Sequence, residues 1–107
     1  MMRLDDQVSV SGQITPEELS LLAADGVEIV VCNRPDNESP DQTDYDVIAK
    51  AAKKCGLQIV NIPFSGGQMQ AEHINAFVDL LDSGQRIHAY CRTGNRSSQL
   101  WNVAKQV

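Results

Sequence analysis

Apolar residues along the chain follow two alternating patterns, one typical of strands and the other of helices. Short apolar runs bounded by turn formers predict four strands, at positions 8–10, 27–32, 57–62 and 86–90. Apolar residues at three- and four-residue spacing predict four helices, at positions 16–25, 44–55, 74–83 and 96–107. The chain therefore predicts strands and helices in alternation.

The first predicted helix has the clearest boundary signals. Thr15 is typical of an N-cap, Pro16 suits the first helical position, and Glu18 completes a capping box. Gly26 follows the last apolar residue and favours a helix end near Asp25. Local chemistry and hydrophobic spacing thus agree on this element.

Alternating strands and helices favour right-handed crossovers, which build a parallel sheet with helices on both faces. The predicted fold class is therefore a three-layer α/β/α domain. In such sheets, ligands bind beyond the carboxyl ends of the strands. The loops at 33–43, 64–70 and 91–96 all leave the sheet at that edge, so we expect them to share one rim. The acids of the 33–43 loop are typical of a solvated surface segment.

The loop after the last predicted strand carries the strongest candidate chemistry. Residues 91–97 read Cys-Arg-Thr-Gly-Asn-Arg-Ser and run directly into the final helix. Backbone N–H groups at such a helix start form a concave site for anions, and the helix dipole adds positive charge. Flanked by Arg92 and Arg96, the Cys91 thiol should shift toward thiolate. Cys91 is therefore a candidate nucleophile, and Arg96 a candidate bidentate ligand for a tetrahedral oxyanion.

The alternative for Cys91 is a packing role, because free cysteine is among the most buried residue types. The Arg-x-Gly-x-Arg-Ser segment that follows it favours chemistry, since a packing cysteine needs no such neighbours. Packing is the interpretation for Cys55 and for His88, which lies in the last predicted strand. His73, beside an apolar helical stripe, carries little functional weight.

Composition restricts the classes of function. A length of 107 residues with 42% apolar and 21% charged content fits one small soluble domain, over residues 1–107. A net charge of −5 without a basic stripe argues against nucleic acid as a partner. No run of about 18 apolar residues and no apolar leader occur, so we expect neither a membrane span nor a signal peptide. Three cysteines with no close pair favour a reducing, cytoplasmic setting over a disulfide framework or a zinc ribbon.

Four segments carry a family resemblance that covers nearly the whole chain. They lie at residues 10–17, 33–36, 62–65 and 89–97, and the second and last read Asn-Arg-Pro-Asp and Ala-Tyr-Cys-Arg-Thr-Gly-Asn-Arg-Ser. The chain resembles a small bacterial family of protein tyrosine phosphatase-like domains, the β-lactamase-hydrolase-like or DUF442 family. This resemblance implies a four-stranded parallel sheet in the order 1-4-2-3, with the strand before Cys91 at the centre.

The resemblance also implies roles for individual residues. As in cysteine-dependent phosphatases, Cys91 would take the phosphoryl group as a thiophosphate, and Arg96 would clamp two phosphate oxygens. Ser97 occupies the position of a hydroxyl that helps the thiolate leave. The implied phosphate-binding residues are Arg92, Thr93, Gly94, Asn95 and Arg96.

Two features depart from the protein tyrosine phosphatase pattern. Four residues rather than five separate Cys91 from Arg96, and this shorter loop is similar to the active loop of rhodanese-type sulfurtransferases. The loop at 63–68 has no aspartate that could act as general acid. Asp36 on the neighbouring loop is the candidate substitute. Glu72 is a second candidate, although a carboxylate in a first helical turn also suits the helix dipole.

These observations predict a cysteine-dependent phosphatase-like hydrolase with weak activity on aryl phosphates or phosphoproteins. The alternative is a rhodanese-like sulfurtransferase that carries a persulfide on Cys91 and takes a small sulfur anion. A module that only binds anions is a third hypothesis, less favoured because binding alone needs no reactive thiol. Neither chemistry requires a cofactor and the sequence has no cluster of metal ligands, so we expect no cofactor and no metal.

Overall fold

The computed structural model describes all 107 residues and contains five strands and four helices. The strands are β1 (Met2–Arg3), β2 (Val8–Ser11), β3 (Ile29–Cys32), β4 (Gln58–Asn61) and β5 (Ile87–Tyr90). The helices are α1 (Glu18–Ala24), α2 (Tyr45–Lys54), α3 (Ala71–Asp82) and α4 (Asn95–Ala104). Every predicted strand and helix is present, with ends that differ by a few residues. None of the four helices has the length and apolar character that crossing a membrane would require.

The strands form one sheet in the order β1-β2-β5-β3-β4. Neighbours among β2, β5, β3 and β4 are parallel, so the predicted order of these four strands is confirmed. The expectation of only four strands was wrong, because β1 adds an antiparallel edge strand beside β2. Its turn is closed by the Asp5 carboxylate, which accepts hydrogen bonds from the N–H groups of Gln7 at 2.8 Å and Val8 at 2.7 Å. Hydrogen bonds in a polar turn, rather than an apolar sequence pattern, therefore accompany this strand, which is why the hydrophobic pattern did not predict it.

Helices cover both faces of the sheet, which confirms the three-layer α/β/α fold. Successive residues of β3 belong to opposite cores. Ile29 and Val31 pack on the side of α3 and α4, and Val30 and Cys32 pack on the side of α1 and α2. The fully buried helix residues of the two cores are Leu19, Leu22, Ile48, Ala52, Phe77, Leu100 and Ala104. Strand β5 is buried along its whole length, because both of its edges are paired and both of its faces are covered.

Helix α1 begins later than its sequence signals predict. Residues 16–17 form a turn, and regular helix starts at Glu18. The Glu18 carboxylate accepts hydrogen bonds from the Thr15 N–H at 3.0 Å and from the Thr15 hydroxyl at 3.1 Å. The predicted capping box is therefore half formed, because this hydroxyl donates to a side chain instead of accepting from the backbone.

His88 lies within β5 and is fully buried. Its Nδ1 lies 2.7 Å from the Ser9 hydroxyl and its Nε2 lies 2.8 Å from the Ser11 hydroxyl. Because the Ser11 hydroxyl donates to the Gly12 carbonyl, we assign the ring proton to Nε2 and the acceptor role to Nδ1. Burial lowers the pKa of His88 to about 4. The ring is therefore neutral at pH 7 and links β2 to β5.

Replacing Leu100 with alanine should destabilise the fold. Leu100 is fully buried on α4, and its truncation removes apolar contacts and leaves a cavity that fills only in part. We expect Leu100→Ala to lower the free energy of unfolding by about 2–5 kcal/mol, measured by urea denaturation. Val103→Ala is the matched control, because Val103 is on the same helix and is 40% exposed. Equal losses in the two variants would contradict the assigned inner face of α4.

Candidate active site

Cys91 is the first residue after β5, so the central strand carries it to the carboxyl edge of the sheet. We call residues 91–96 the cysteine loop. The loop enters α4 through Gly94, the N-cap residue, whose φ of 94° lies in the left-handed region that glycine adopts without steric cost. This turn brings the Gly94 N–H to 3.1 Å from the Cys91 sulfur. The predicted strand, loop and helix start are confirmed.

The end of β2 packs closely against the cysteine loop. A β-carbon at Gly12 would lie 2.8 Å from the Arg92 carbonyl oxygen, and one at Gly94 would lie 3.3 Å from the Ser11 carbonyl carbon. The Cys91 N–H donates to the Ser11 carbonyl at 3.3 Å. A side chain at position 12 would therefore clash with the loop backbone, and one at position 94 would be tight against Ser11 as well as strained by the positive φ.

The Cys91 side chain is fully buried, and burial by itself would raise the pKa of its thiol. Hydrogen bonds from the backbone N–H groups of Ser97, Thr93 and Gly94, and from the Ser97 hydroxyl, outweigh this effect and lower the pKa of Cys91 below its ordinary value. These donors stand at the start of α4, where the helix dipole also favours negative charge. At Cys32, in contrast, burial dominates and raises the pKa. Of these two buried thiols, Cys91 is the one whose pKa is lowered.

Arg96 lies in the first turn of α4, beside Cys91. Its Nη1 donates to Glu38 Oε2 at 2.7 Å and to the Phe64 carbonyl at 3.0 Å, and its Nη2 donates to Glu38 Oε1 at 2.8 Å. Hydrogen bonds to Glu38 raise the pKa of Arg96, and the Cys91 sulfur adds to this effect. The two N–H groups not used by these contacts, on Nε and Nη2, lie parallel on one edge of the guanidinium. That edge has the geometry to bind two oxygens of one tetrahedral anion.

Glu38 is the carboxylate that contacts Arg96, and sequence reasoning did not single it out. It also accepts a hydrogen bond at 3.1 Å from Nε of Arg34, whose side chain is only 5% exposed. Gln13 and Ser39 bind the rest of the Arg34 guanidinium, at 2.9 and 3.1 Å. Hydrogen bonds from Arg96 and Arg34 lower the pKa of Glu38. Glu38 is therefore ionised at neutral pH and is poorly suited to donate a proton.

Asn33 is a second residue at this site that sequence reasoning did not single out. Its side-chain oxygen accepts a hydrogen bond from the Ser97 hydroxyl at 2.8 Å, and its side-chain nitrogen donates to the Ile62 carbonyl at 2.9 Å. Ser97 is one of the groups that lower the pKa of Cys91. The Asn-Arg-Pro-Asp segment at 33–36 is the available signal for Asn33, because it follows a buried strand at the ligand-binding edge of the sheet.

Neither candidate general acid forms an ion pair with an arginine of this site. The Asp36 carboxylate accepts a hydrogen bond from the Tyr45 N–H at 2.8 Å and so satisfies a backbone donor at the start of α2. Asp36 makes no ion pair with Arg96 and does not line the pocket over the cysteine loop. Glu72 is exposed in the first turn of α3. The catalytic role of Asp36 stays a prediction.

An open polar pocket of about 480 Å³ lies over the cysteine loop. Its lining consists of Glu38, Gly66, Arg92, Thr93, Asn95 and Arg96. No apolar side chain lines it, and Arg92 is exposed and forms no salt bridge. An anion that enters this pocket meets the side chains of Arg92 and Arg96.

Comparison with known proteins identifies the family. Residues 1–107 match the model of a family described as beta-lactamase hydrolase-like protein, phosphatase-like domain. The chain belongs to this family. Among curated relatives, the beta-lactamase hydrolase-like proteins of Xylella fastidiosa and Agrobacterium fabrum are 25% and 27% identical over 105 and 101 residues, which are 97% and 94% of this chain. The chain spans about a quarter of the length of these relatives, 24% and 23%.

Solved structures agree with the family assignment of this phosphatase-like domain. A candidate phosphatase from Neisseria meningitidis is 30% identical, with a TM-score of 0.84 over 94% of this chain and 72% of its own. A candidate phosphatase of the DUF442 group from Shewanella putrefaciens is 24% identical, with a TM-score of 0.83 over 98% of this chain and 66% of its own. A candidate protein tyrosine phosphatase from Leishmania major is 16% identical, with a TM-score of 0.60 over 81% of this chain and 58% of its own. The predicted resemblance to the DUF442 family and the predicted phosphatase-like fold are confirmed.

The charge of Glu38 should stabilise the fold in a pH-dependent manner. Glu38→Gln leaves the buried Arg34 without a charged partner, so we expect it to lower the free energy of unfolding by about 1–3 kcal/mol at pH 7. The pKa of Glu38 is lowered in the folded state. Its charge therefore stabilises the fold above the unfolded-state pKa of about 4.3, and this stabilisation is lost as the pH falls through the folded-state value.

Urea denaturation at pH 7 and at about pH 3 would measure this dependence, with the expectation that wild type and Glu38→Gln converge at the lower pH. Asp41→Asn is the matched control, since Asp41 is exposed on the same loop and accepts only from the Ser39 hydroxyl. A difference that stays constant with pH would mean that the shape of Glu38, and not its charge, is what matters.

Proposed function

We propose that this phosphatase-like domain is a cysteine-dependent hydrolase of aryl phosphates or phosphoproteins, with Cys91 as nucleophile. The observation that carries the proposal is the set of N–H donors around one sulfur. Backbone N–H groups at the start of α4 lower the pKa of Cys91, and the Arg96 guanidinium adjoins it. A site of this kind binds a tetrahedral anion and presents a thiolate to it.

The proposed reaction has two steps. In the first, the Cys91 thiolate attacks phosphorus, a sulfur–phosphorus bond forms, and the bond from phosphorus to the leaving oxygen breaks. In the second, water attacks phosphorus, an oxygen–phosphorus bond forms and the sulfur–phosphorus bond breaks, so that the thiolate is restored and dihydrogen phosphate leaves with both protons of the water. Arg92, Thr93, Gly94, Asn95 and Arg96 would bind the phosphate oxygens, Arg96 through its unused guanidinium edge. Ser97 would donate a hydrogen bond to the sulfur as it leaves phosphorus.

A strongly basic leaving oxygen needs a proton, and we propose Asp36 as its donor. To act, Asp36 has to give up its hydrogen bond from the Tyr45 N–H and turn its carboxyl group toward the leaving oxygen. Glu38 is unsuited, because hydrogen bonds from two arginines lower its pKa. Aryl phosphates have weakly basic leaving groups, so they need this proton least and are the favoured substrates.

A second candidate function is sulfur transfer. It is favoured by the lack of a carboxyl group at the pocket that could donate a proton. No carboxylate that lines the pocket over the cysteine loop is poised to donate a proton, and sulfur transfer needs none. The Cys91 thiolate would attack the outer sulfur of thiosulfate, so that a persulfide forms and sulfite leaves. Cyanide would then take the outer sulfur as thiocyanate and restore the thiolate. The four residues between Cys91 and Arg96 are similar in number to those of rhodanese-type loops.

We further propose that residues 1–107 act as a single domain in a reducing, cytoplasmic setting. The matched family model spans these residues, and all three cysteines are free thiols. The partners are expected to be phosphorylated substrates or small sulfur anions, with no cofactor.

A paired assay on purified protein distinguishes these functions. One set measures phosphate release from an aryl phosphate, and the other measures thiocyanate from thiosulfate and cyanide. We expect phosphate release by the wild type, its loss in Cys91→Ser because serine is a poor nucleophile without the thiolate, and no loss in Cys55→Ser, whose thiol is half-buried at the end of α2. Thiocyanate alone, lost in Cys91→Ser, would instead establish sulfur transfer. Activity in neither set would favour a module that binds anions.

The role of Asp36 is tested by varying the leaving group. If Asp36 donates the proton, Asp36→Asn should slow the cleavage of an alkyl phosphate by about 10²–10⁴ and change the cleavage of nitrophenyl phosphate little. The measurement is kcat/KM for both substrates, with Asp41→Asn as the control on the same exposed loop. Because Asp36 also binds the Tyr45 N–H, thermal unfolding of the variant separates instability from lost catalysis. Equal rates for variant and wild type on the alkyl phosphate would exclude Asp36 as the acid.

A further inference from the structure

The Ser97 hydroxyl has one proton and two neighbouring acceptors. It donates to the side-chain oxygen of Asn33 at 2.8 Å, and it is near enough to the Cys91 sulfur to lower the pKa of that thiol. All three side chains are fully buried, so no bulk water competes for this proton. A hydroxyl can donate to only one acceptor at a time.

The amide of Asn33 is fixed in its orientation. Its side-chain nitrogen donates to the Ile62 carbonyl at 2.9 Å, so its oxygen is the atom that faces Ser97. Its backbone N–H donates to the Tyr90 carbonyl at 2.8 Å, and its carbonyl accepts from the Phe64 N–H at 3.3 Å. Asn33 therefore joins the carboxyl ends of β3, β4 and β5, and it offers Ser97 an acceptor and not a donor.

We propose that Asn33 is a positioning residue whose side-chain oxygen competes with the Cys91 sulfur for the hydroxyl proton of Ser97. While Cys91 is a neutral thiol or carries a covalent group, Ser97 donates to Asn33. When the thiolate forms, the hydroxyl rotates and donates to the sulfur. No proton is transferred, since the O–H bond stays intact and only its acceptor changes. The proposal rests on the proposed role of Cys91 as nucleophile.

The sign of the expected effect follows from the competition. A thiolate is a stronger acceptor than a thiol, so the hydrogen bond from Ser97 favours the ionised form of Cys91. Asn33 opposes this, because turning toward the sulfur costs Ser97 its bond to the amide oxygen. Removing that oxygen should therefore lower the pKa of Cys91, and removing the Ser97 hydroxyl should raise it.

This competition would serve both steps of the proposed reaction. A sulfur that accepts many hydrogen bonds leaves easily, but it is a weaker nucleophile. With Asn33 present, Ser97 still donates to the sulfur as negative charge develops during breakdown of the thiophosphate, but the cost of losing its bond to Asn33 limits how far it weakens the free thiolate as a nucleophile. Asn33 thus acts through Ser97 and touches no reacting atom.

The test is a pH titration of the thiolate by ultraviolet absorbance. Each variant is compared with the same variant carrying Cys91→Ser, which subtracts tyrosines and other thiols. Asn33→Ala should lower the pKa of Cys91 and raise the thiolate fraction below the midpoint by roughly three- to tenfold, the factor that one neutral hydrogen bond supplies. Ser97→Ala should raise the pKa, and in Ser97→Ala the added Asn33→Ala change should have no effect. Ser98→Ala is the matched control, because the Ser98 hydroxyl donates to the Gly94 carbonyl.

A merely structural role of Asn33 predicts the opposite sign. If its loss only loosened the cysteine loop, the N–H groups around the sulfur would lose alignment, and the pKa of Cys91 would rise. A raised or unchanged pKa in Asn33→Ala, or an unchanged pKa in Ser97→Ala, therefore overturns the proposal. If Asn33→Ala does not fold, as judged by circular dichroism, Asn33→Leu keeps the volume and gives the same test. The titration requires no turnover, so its outcome is separate from the paired activity assay.

Discussion

The structure depends on one interaction, which is the contact between a buried sulfur atom, that of Cys91, and the start of α4. Burial opposes negative charge on this sulfur, and the start of α4 supports it with N–H groups that have no partner within the helix. Strand β5 and the turn at Gly94 bring the sulfur and these donors together. The close packing of Gly12 on the loop keeps them there.

The rest of the site contains two ion pairs that share one carboxylate. Arg34 is buried and binds Glu38, and Glu38 in turn binds one edge of Arg96. A mobile arginine would lose rotational freedom each time it bound an anion. Because Glu38 fixes the Arg96 guanidinium before an anion binds, the rotational entropy of this side chain is lost on folding and not on binding. The same carboxylate also lines the pocket over the cysteine loop.

The elements that could be predicted from the sequence are those with local signals. Cys91, Gly94 and Arg96 lie within six residues, and the strand before them has a clear apolar pattern. Strand β1 has only two residues and no such pattern. Glu38 meets Arg96 across 58 positions of the chain, and Asn33 meets Ser97 across 64. Single polar residues in loops carry no periodicity, so partners this distant become apparent only when the sheet places their loops on one edge.

The central position of β5 links folding to chemical reactivity. This strand is the last of the five along the chain, yet it lies between β2 and β3. Until it inserts, β2 lacks its parallel neighbour, and α4 has no strand end against which to set its first turn. Completion of the sheet and placement of the Cys91 sulfur beside the start of α4 are therefore one event. In a chain whose last strand is not yet in place, Cys91 lacks the N–H groups that lower its pKa in the folded domain.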